Sequence, residues 1–104
     1  MPAFCIGQIR VRNTEAWEQY RQRVGATIKQ YGGEVVFRGT QARILSGELP
    51  YERVVVLQFD NLESANRWHY SPEYQALLSI REKGADVTLV LYEGEGQNKK
   101  EQVA

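Results

Sequence analysis

The run from Tyr51 to Phe59, YERVVVLQF, sets Val54 and Val56 on one side of an extended chain and Val55, Leu57 and Phe59 on the other. Side chains alternate at period two along a strand, so a sheet covered on one face only alternates apolar with polar residues. This run does not alternate in that way. Neither does Asp86 to Tyr92, DVTLVLY, where Val87, Leu89 and Leu91 oppose Val90 and Tyr92. A sheet built on these two strands must be dry on both faces. The chain has 104 residues, enough for one domain with one core but too few for helices on both faces. An uncovered face of Val and Leu would exceed the apolar patch that soluble monomers carry. The economical cover is a second copy of the chain, sheet against sheet, and the pattern predicts a two-fold symmetric homodimer through the sheet face.

The remaining segments supply the other elements. Ala3 to Arg12, AFCIGQIRVR, is β-branched with little helical periodicity and reads as the first strand. Asn13 can cap the next segment as a helix, and Glu15 lies in the first turn, where a carboxylate suits the helix dipole. Trp17, Tyr20, Val24, Ile28 and Tyr31 then recur at steps of three and four, the stripe of an amphipathic helix that Gly32-Gly33 ends. Glu34 to Leu45 reads as the second strand, with Gly39 marking a bulge or bend; Ser46 to Pro50 is a turn, and Tyr51 to Phe59 the third strand. Asp60 with Glu63 resembles a capping box, and Leu62, Ala65 and Trp68 form the buried stripe of a short helix. Ser71-Pro72 then breaks and restarts the helix, since proline favours the first helical position and disfavours α geometry before it. The restarted helix runs to Gly84, and Asp86 to Tyr92 is the fourth strand. The order is β-α-β-β-α-β with the second helix split in two: an α+β, ferredoxin-like antiparallel sheet with its helices on one face. Residues 1–94 form this single domain. Residues 95–104 are too poor in apolar side chains to offset the entropy of ordering and are expected to be a flexible tail.

Composition narrows the function. Lysine plus arginine and aspartate plus glutamate number 13 each, so no global field gathers nucleic acid or anionic lipid. The longest apolar runs are strand length, far below the roughly 20 residues of a membrane span. No signal-peptide pattern opens the chain. The single cysteine, Cys5, fits a reducing compartment, and the expected location is the cytoplasm.

Ala65-x-x-Trp68-x-x-Ser71-Pro72-Glu73-Tyr74-Gln75 with Arg81 after it, Tyr31-Gly32-Gly33 before the second strand and Arg38-Gly39 within it together resemble a family of small bacterial proteins, domain-of-unknown-function family 1330. The similarity covers about Ala3 to Gly94. The resemblance implies membership of the dimeric α+β barrel superfamily, whose members pair two ferredoxin-like sheets. That superfamily includes cofactor-free monooxygenases acting on polycyclic aromatics, small isomerases, haem-degrading enzymes and stress-responsive proteins. His69 departs from the family's usual pattern, so the resemblance implies no catalytic role for it.

Few side chains carry chemistry. His69, the sole histidine, is either a general acid or base on a pocket wall beside Ser71 and Tyr74, or a half-exposed residue at a helix end. One histidine and one distant cysteine make no metal site, and no cofactor is implied. Arg38 and Arg53 on neighbouring strands and Arg81 on the covering helix either converge as a carboxylate clamp or serve structural pairs. Trp17, Tyr20, Tyr31, Trp68 and Tyr74 either line an aromatic-accepting pocket or simply fill the helix–sheet interface. Cys5 lacks a local cation to activate it and reads as a small buried hydrophobe. Gly32-Gly33 comes after a helix, the reverse of a phosphate loop.

These residues are compatible with two functions. In the first, the protein binds a small aromatic or carboxylated metabolite and acts as a binding protein or a cofactor-free enzyme of proton transfer or oxidation. Its ligand-binding residues are Trp17, Phe37, Arg38, Trp68 and Tyr74, and its candidate catalytic residues are His69, Arg81 and Ser71. In the second, it is a non-catalytic dimeric scaffold or stress-related interaction module, with a helix–sheet interface packed solid.

Overall fold

The computed structural model describes residues 1–95. The segment expected to be a flexible tail, apart from Glu95, lies outside the described residues. The elements run β1 (Ala3–Val11), α1 (Thr14–Gln30), β2 (Glu34–Thr40), β3 (Arg53–Phe59), α2 (Leu62–His69), α3 (Pro72–Gln75), α4 (Leu78–Gly84) and β4 (Ala85–Glu93). One antiparallel sheet has the order β2-β3-β1-β4. This is the ferredoxin-like arrangement that the periodicity predicted.

The register explains the two-sided strands. Cys5, Gly7 and Ile9 stand opposite Leu57, Val55 and Arg53 on one side and Leu91, Leu89 and Val87 on the other. These residues share the face beneath the helices. Phe4, Ile6, Val54, Val56, Val90 and Tyr92 lie on the opposite face, as alternation requires. The core is therefore a helix–sheet core, with Trp68, Tyr74 and Phe59 its largest fully buried side chains.

Local signals place most helix ends. Asn13 Oδ1 accepts from the Ala16 amide at 3.0 Å, and Gly32 takes φ +80° just past α1, where L-residues with a Cβ are strained. Ser71 Oγ accepts from the Tyr74 amide at 3.1 Å, and Pro72 comes directly after it. The cap of α2 is Asn61, not Asp60: its Oδ1 accepts from the Ser64 amide at 2.8 Å. Helical phase decides this, because the turn that buries Ala65 and Trp68 begins at Leu62.

Three other expectations are corrected. The segment after Ser71 is two short helices, with Leu77 at φ −92°, ψ −8° between them. The break lets Tyr74 turn inward against Trp68, their ring centroids 4.3 Å apart, while α4 lies along α1. The second strand stops at Thr40 and the third starts at Arg53; the last ladder bond runs from the Gln41 amide to the Glu52 carbonyl at 2.7 Å. Beyond it Leu45 is 90% exposed and has no layer to pack on. Finally, the bulge lies between Val35 and Phe37, whereas Gly39 pairs regularly with Val54. Gly39 instead seats an aromatic ring: a Cβ there would stand 2.8 Å from Phe37 Cε2.

Candidate functional site

Between α1 and the sheet lies a cavity of about 40 Å³, room for on the order of three waters. Ile9, Val55, Leu57 and Leu89 form its base, Trp17, Tyr20, Val24 and Ile28 of α1 its roof, and Trp68 and Tyr74 its closed end. Gly7 is part of the same base, tightly flanked by its strand neighbours. A Cβ on Gly7 would stand 3.0 Å from Val55 Cγ1 and 3.3 Å from Leu89 Cδ1.

The polar groups at the closed end form a short chain. The Tyr20 and Tyr74 hydroxyls share a hydrogen bond of 2.9 Å, and Arg81 Nη1 donates to the Tyr74 oxygen at 3.0 Å. The Arg81 side chain is only 13% exposed, pairs with Glu82 at 3.2 Å, and keeps its Nε buried without a partner. Burial by itself lowers the Arg81 pKa, but Tyr74 and Glu82 beside it reverse the direction and hold it raised. Burial, and then the neighbouring Tyr74, pushes the Tyr20 phenol far above its usual range. Tyr20 thus keeps its proton, and the chain is a hydroxyl pair backed by a cation with one hydroxyl proton free beyond the Tyr20–Tyr74 bond, suited to stabilising negative charge on a ligand oxygen rather than to removing a proton. On the far side of Trp68, its indole N–H donates to Thr27 Oγ1 at 3.0 Å.

Other residues singled out from the sequence fall elsewhere. His69 lies across Trp68 and Tyr74 from the cavity, its ring centroid 5.6 Å from that of Tyr74, and faces a second recess of about 170 Å³ shared with Cys5, Tyr70 and Leu91. Burial, and secondarily Arg81, lowers its pKa. Burial raises the Cys5 thiol to about 11. Ser71 is buried with its hydroxyl committed, donating to the Trp68 carbonyl at 2.7 Å and accepting from the Tyr74 amide. Phe37 is 56% exposed and lies over Gly39 on the opposite sheet face, whereas Arg38 stands on the helix side. No regular strand can present both residues to one pocket, and the bulge decides which one the cavity receives.

The arginines divide. Arg38 and Arg53 meet at an open recess of about 280 Å³ that adjoins the cavity and shares Ile9, Trp17, Arg21 and Arg38 with it. Arg81 is not there, and Arg21 takes the third place. Arg21 was legible only as one turn beyond Trp17 on the same helical face. The Tyr20–Tyr74–Arg81 chain was likewise hidden, because its members come from three different segments. Among the described residues no three His, Cys, Asp or Glu side chains gather as metal ligands, and no helix is long and apolar enough to cross a membrane.

A four-stranded antiparallel sheet with helices on one face and an apolar cavity beneath them defines a ferredoxin-like α+β protein. Residues 2–95 match the model of a domain of unknown function, DUF1330, and the chain belongs to that family. No curated protein sequence matches it. Among solved structures it is similar to a protein of unknown function, RPA0582, from Rhodopseudomonas palustris (TM-score 0.78, 18% identity, covering 91% of this chain and 83% of that one). It is also similar to SnoaB, a cofactor-independent oxygenase from Streptomyces nogalater (TM-score 0.67, 10% identity, 94% and 97%). A third is a dimeric ferredoxin-like protein of unknown function from Thermobifida fusca (TM-score 0.54, 17% identity, 88% and 90%). At these identities the likeness is one of fold.

Proposed function

We propose that the protein is a homodimer, paired through the open sheet face, whose protomers each bind a small aromatic molecule where the cavity beneath α1 opens into the adjoining recess of about 280 Å³. The observation that carries this reading is the hollow formed by the cavity and the recess that shares four of its lining residues, with the Tyr20–Tyr74–Arg81 chain at the cavity's end. Apolar walls with a few convergent polar groups are the ordinary build of a small-molecule site.

The reaction that fits the geometry passes through an oxyanion. A ligand carbonyl or phenol oxygen placed against the tyrosine pair accepts the one hydroxyl proton that the Tyr20–Tyr74 bond leaves free, and the charge left when the ligand gives up its acidic proton to water at the open recess is held by that donor and by Arg81 behind it. Proton transfer begins with such an anion, and so does cofactor-free oxidation, in which the anion gives its electrons to dioxygen. The cofactor-independent oxygenase of similar fold supports placing the activity in this class.

The test is to follow the two tryptophan indole N–H resonances by NMR while adding cinnamyl alcohol, a small neutral aromatic. The expected result is a saturable shift of the Trp17 and Trp68 signals that Gly7→Ala weakens about tenfold, because the added methyl group meets the ends of Val55 and Leu89 and fills the floor of the cavity. Unmoved indoles with aromatic alcohols and acids alike would sink the reading.

A further inference from the structure

We infer that the recess adjoining the cavity is a carboxylate site, in which Arg21, Arg38 and Arg53 hold the acid group of the same molecule whose ring lies against Trp17 where recess and cavity join. The inference rests on the proposed cavity reading and narrows its ligand to an aromatic carboxylic acid.

Three separate elements bring the guanidinium groups together: Arg21 from α1, Arg38 from β2 and Arg53 from the start of β3. Their recess has no acidic residue in its wall, and the Thr40 hydroxyl adds a neutral donor. Glu18 pairs with Arg21 at 3.1 Å on the exposed surface of α1. Among the described residues neither Arg38 nor Arg53 has a carboxylate within ion-pair distance. In a chain with equal numbers of acids and bases, three arginines around one concavity with a single counter-ion at its rim are a local imbalance. Like charges so placed repel one another unless an anion enters, and guanidinium forks match a carboxylate in geometry as well as in charge.

The backbone points the same way. Val35 pairs with Leu57 and Phe37 with Val56, so β2 takes two steps against one step of β3. The extra residue reverses the faces downstream, bringing Arg38 to the helix side beside Arg53 and sending Phe37 to the other. Bulges commonly re-aim a side chain beside a site. Without this one Arg38 would leave the recess. Burial, and then the charge of Arg21, lowers the Arg38 pKa, which is the strain an incoming anion relieves. The recess shares four lining residues with the cavity, so one molecule can present its ring to Trp17 and its acid to the arginines.

The experiment compares trans-cinnamate with cinnamyl alcohol, which differ in charge and little in shape, by calorimetry on the full chain. The expected result is cinnamate binding at least about tenfold more tightly than the alcohol at low salt, as charge-assisted hydrogen bonds warrant. Arg38→Gln and Arg53→Gln should each remove most of that preference, and sulfate should compete it away. These arginines are at least partly solvent-exposed, and the wild-type comparison needs no variant. Equal affinity for acid and alcohol overturns the arginine inference and leaves the cavity reading standing. Cinnamate binding that Gly7→Ala leaves intact but Arg38→Gln abolishes overturns the shared-ligand claim and the cavity with it. No binding of either compound overturns both.

Discussion

Tyr74 and His69 lie side by side, but only one of them belongs to the cavity. The Tyr74 hydroxyl is bonded to both Tyr20 and Arg81. Tyr74→Phe therefore leaves two buried donors without a partner, whereas Tyr20→Phe leaves Tyr74 still bonded to Arg81. Denaturant unfolding should show a cost of about 1–3 kcal/mol for Tyr74→Phe and about 1 kcal/mol for Tyr20→Phe; equal costs would mean that the chain is not coupled through Tyr74. His69 answers to pH instead. Its folded pKa lies below the ordinary 6.5, because burial first and the Arg81 charge second disfavour the proton. The proton then prefers the unfolded chain, so the associated stability is complete above about pH 6.5 and is lost as pH falls from there through the folded pKa. An NMR titration of the ring should give a midpoint under 6.5, and His69→Gln should remove that part of the acid sensitivity. A midpoint above 6.5 would show that His69 faces an unseen acid. The sequence drew attention to His69 because it stands alone and to Arg81 for its charge. It could not show that Arg81 reaches Tyr74, since that contact is made by folding and not by spacing.

At the scale of elements, legibility tracked locality. Asn13, Gly32 and Ser71-Pro72 act on amides within a turn of themselves, and their helix ends fell where the residues indicated. The bulge at Val35–Phe37 and the break between α3 and α4 contain neither glycine nor proline, so no local residue signal marks them. Gly84 shows the difference within one residue. The sequence marks it as a helix stop and α4 does end there, yet its φ is not positive and the chain passes directly into β4. What the position requires is absence of bulk: a Cβ would stand 2.7 Å from the Trp17 amide nitrogen and 2.9 Å from its Cα, where backbone cannot yield. The Gly84 carbonyl also accepts from the Arg12 and Asn13 amides at 2.8 and 3.0 Å, so the end of α4 is docked on the start of α1. Gly84→Ala should cost about 1–3 kcal/mol in chemical denaturation through overpacking, while Gly25→Ala on the same helix layer, with open space around it, should be neutral or slightly stabilising. If both glycines tolerate alanine equally, α1 and α4 are not in backbone contact.

For the whole molecule the governing fact is thickness. The folded part measures 45 × 34 × 16 Å, one sheet and one helical layer, and the second sheet face carries Val56, Ile6 and Val90 in a row across β3, β1 and β4. Around them Tyr92 and Phe37 are 51% and 56% exposed. This face was legible from alternation alone, because register is set by the pleat once the helix side is fixed. Its cover was not, since nothing within one chain records what stands opposite. In the proposed dimer Ile6 lies at the centre of the covered face, with Val56 and Val90 as its cross-strand neighbours. A glutamate there would be buried without a cation, at a cost of several kcal/mol per protomer that the dimer cannot absorb, whereas in a monomer it would face water at the middle of an open sheet. Light scattering should therefore give twice the 11.9 kDa chain mass for the wild type and the single-chain mass for Ile6→Glu, with the far-ultraviolet circular dichroism of the two alike. A wild type that stays monomeric at high concentration, or an Ile6→Glu protein that remains dimeric, would mean that the apolar face is not the surface through which the copies meet.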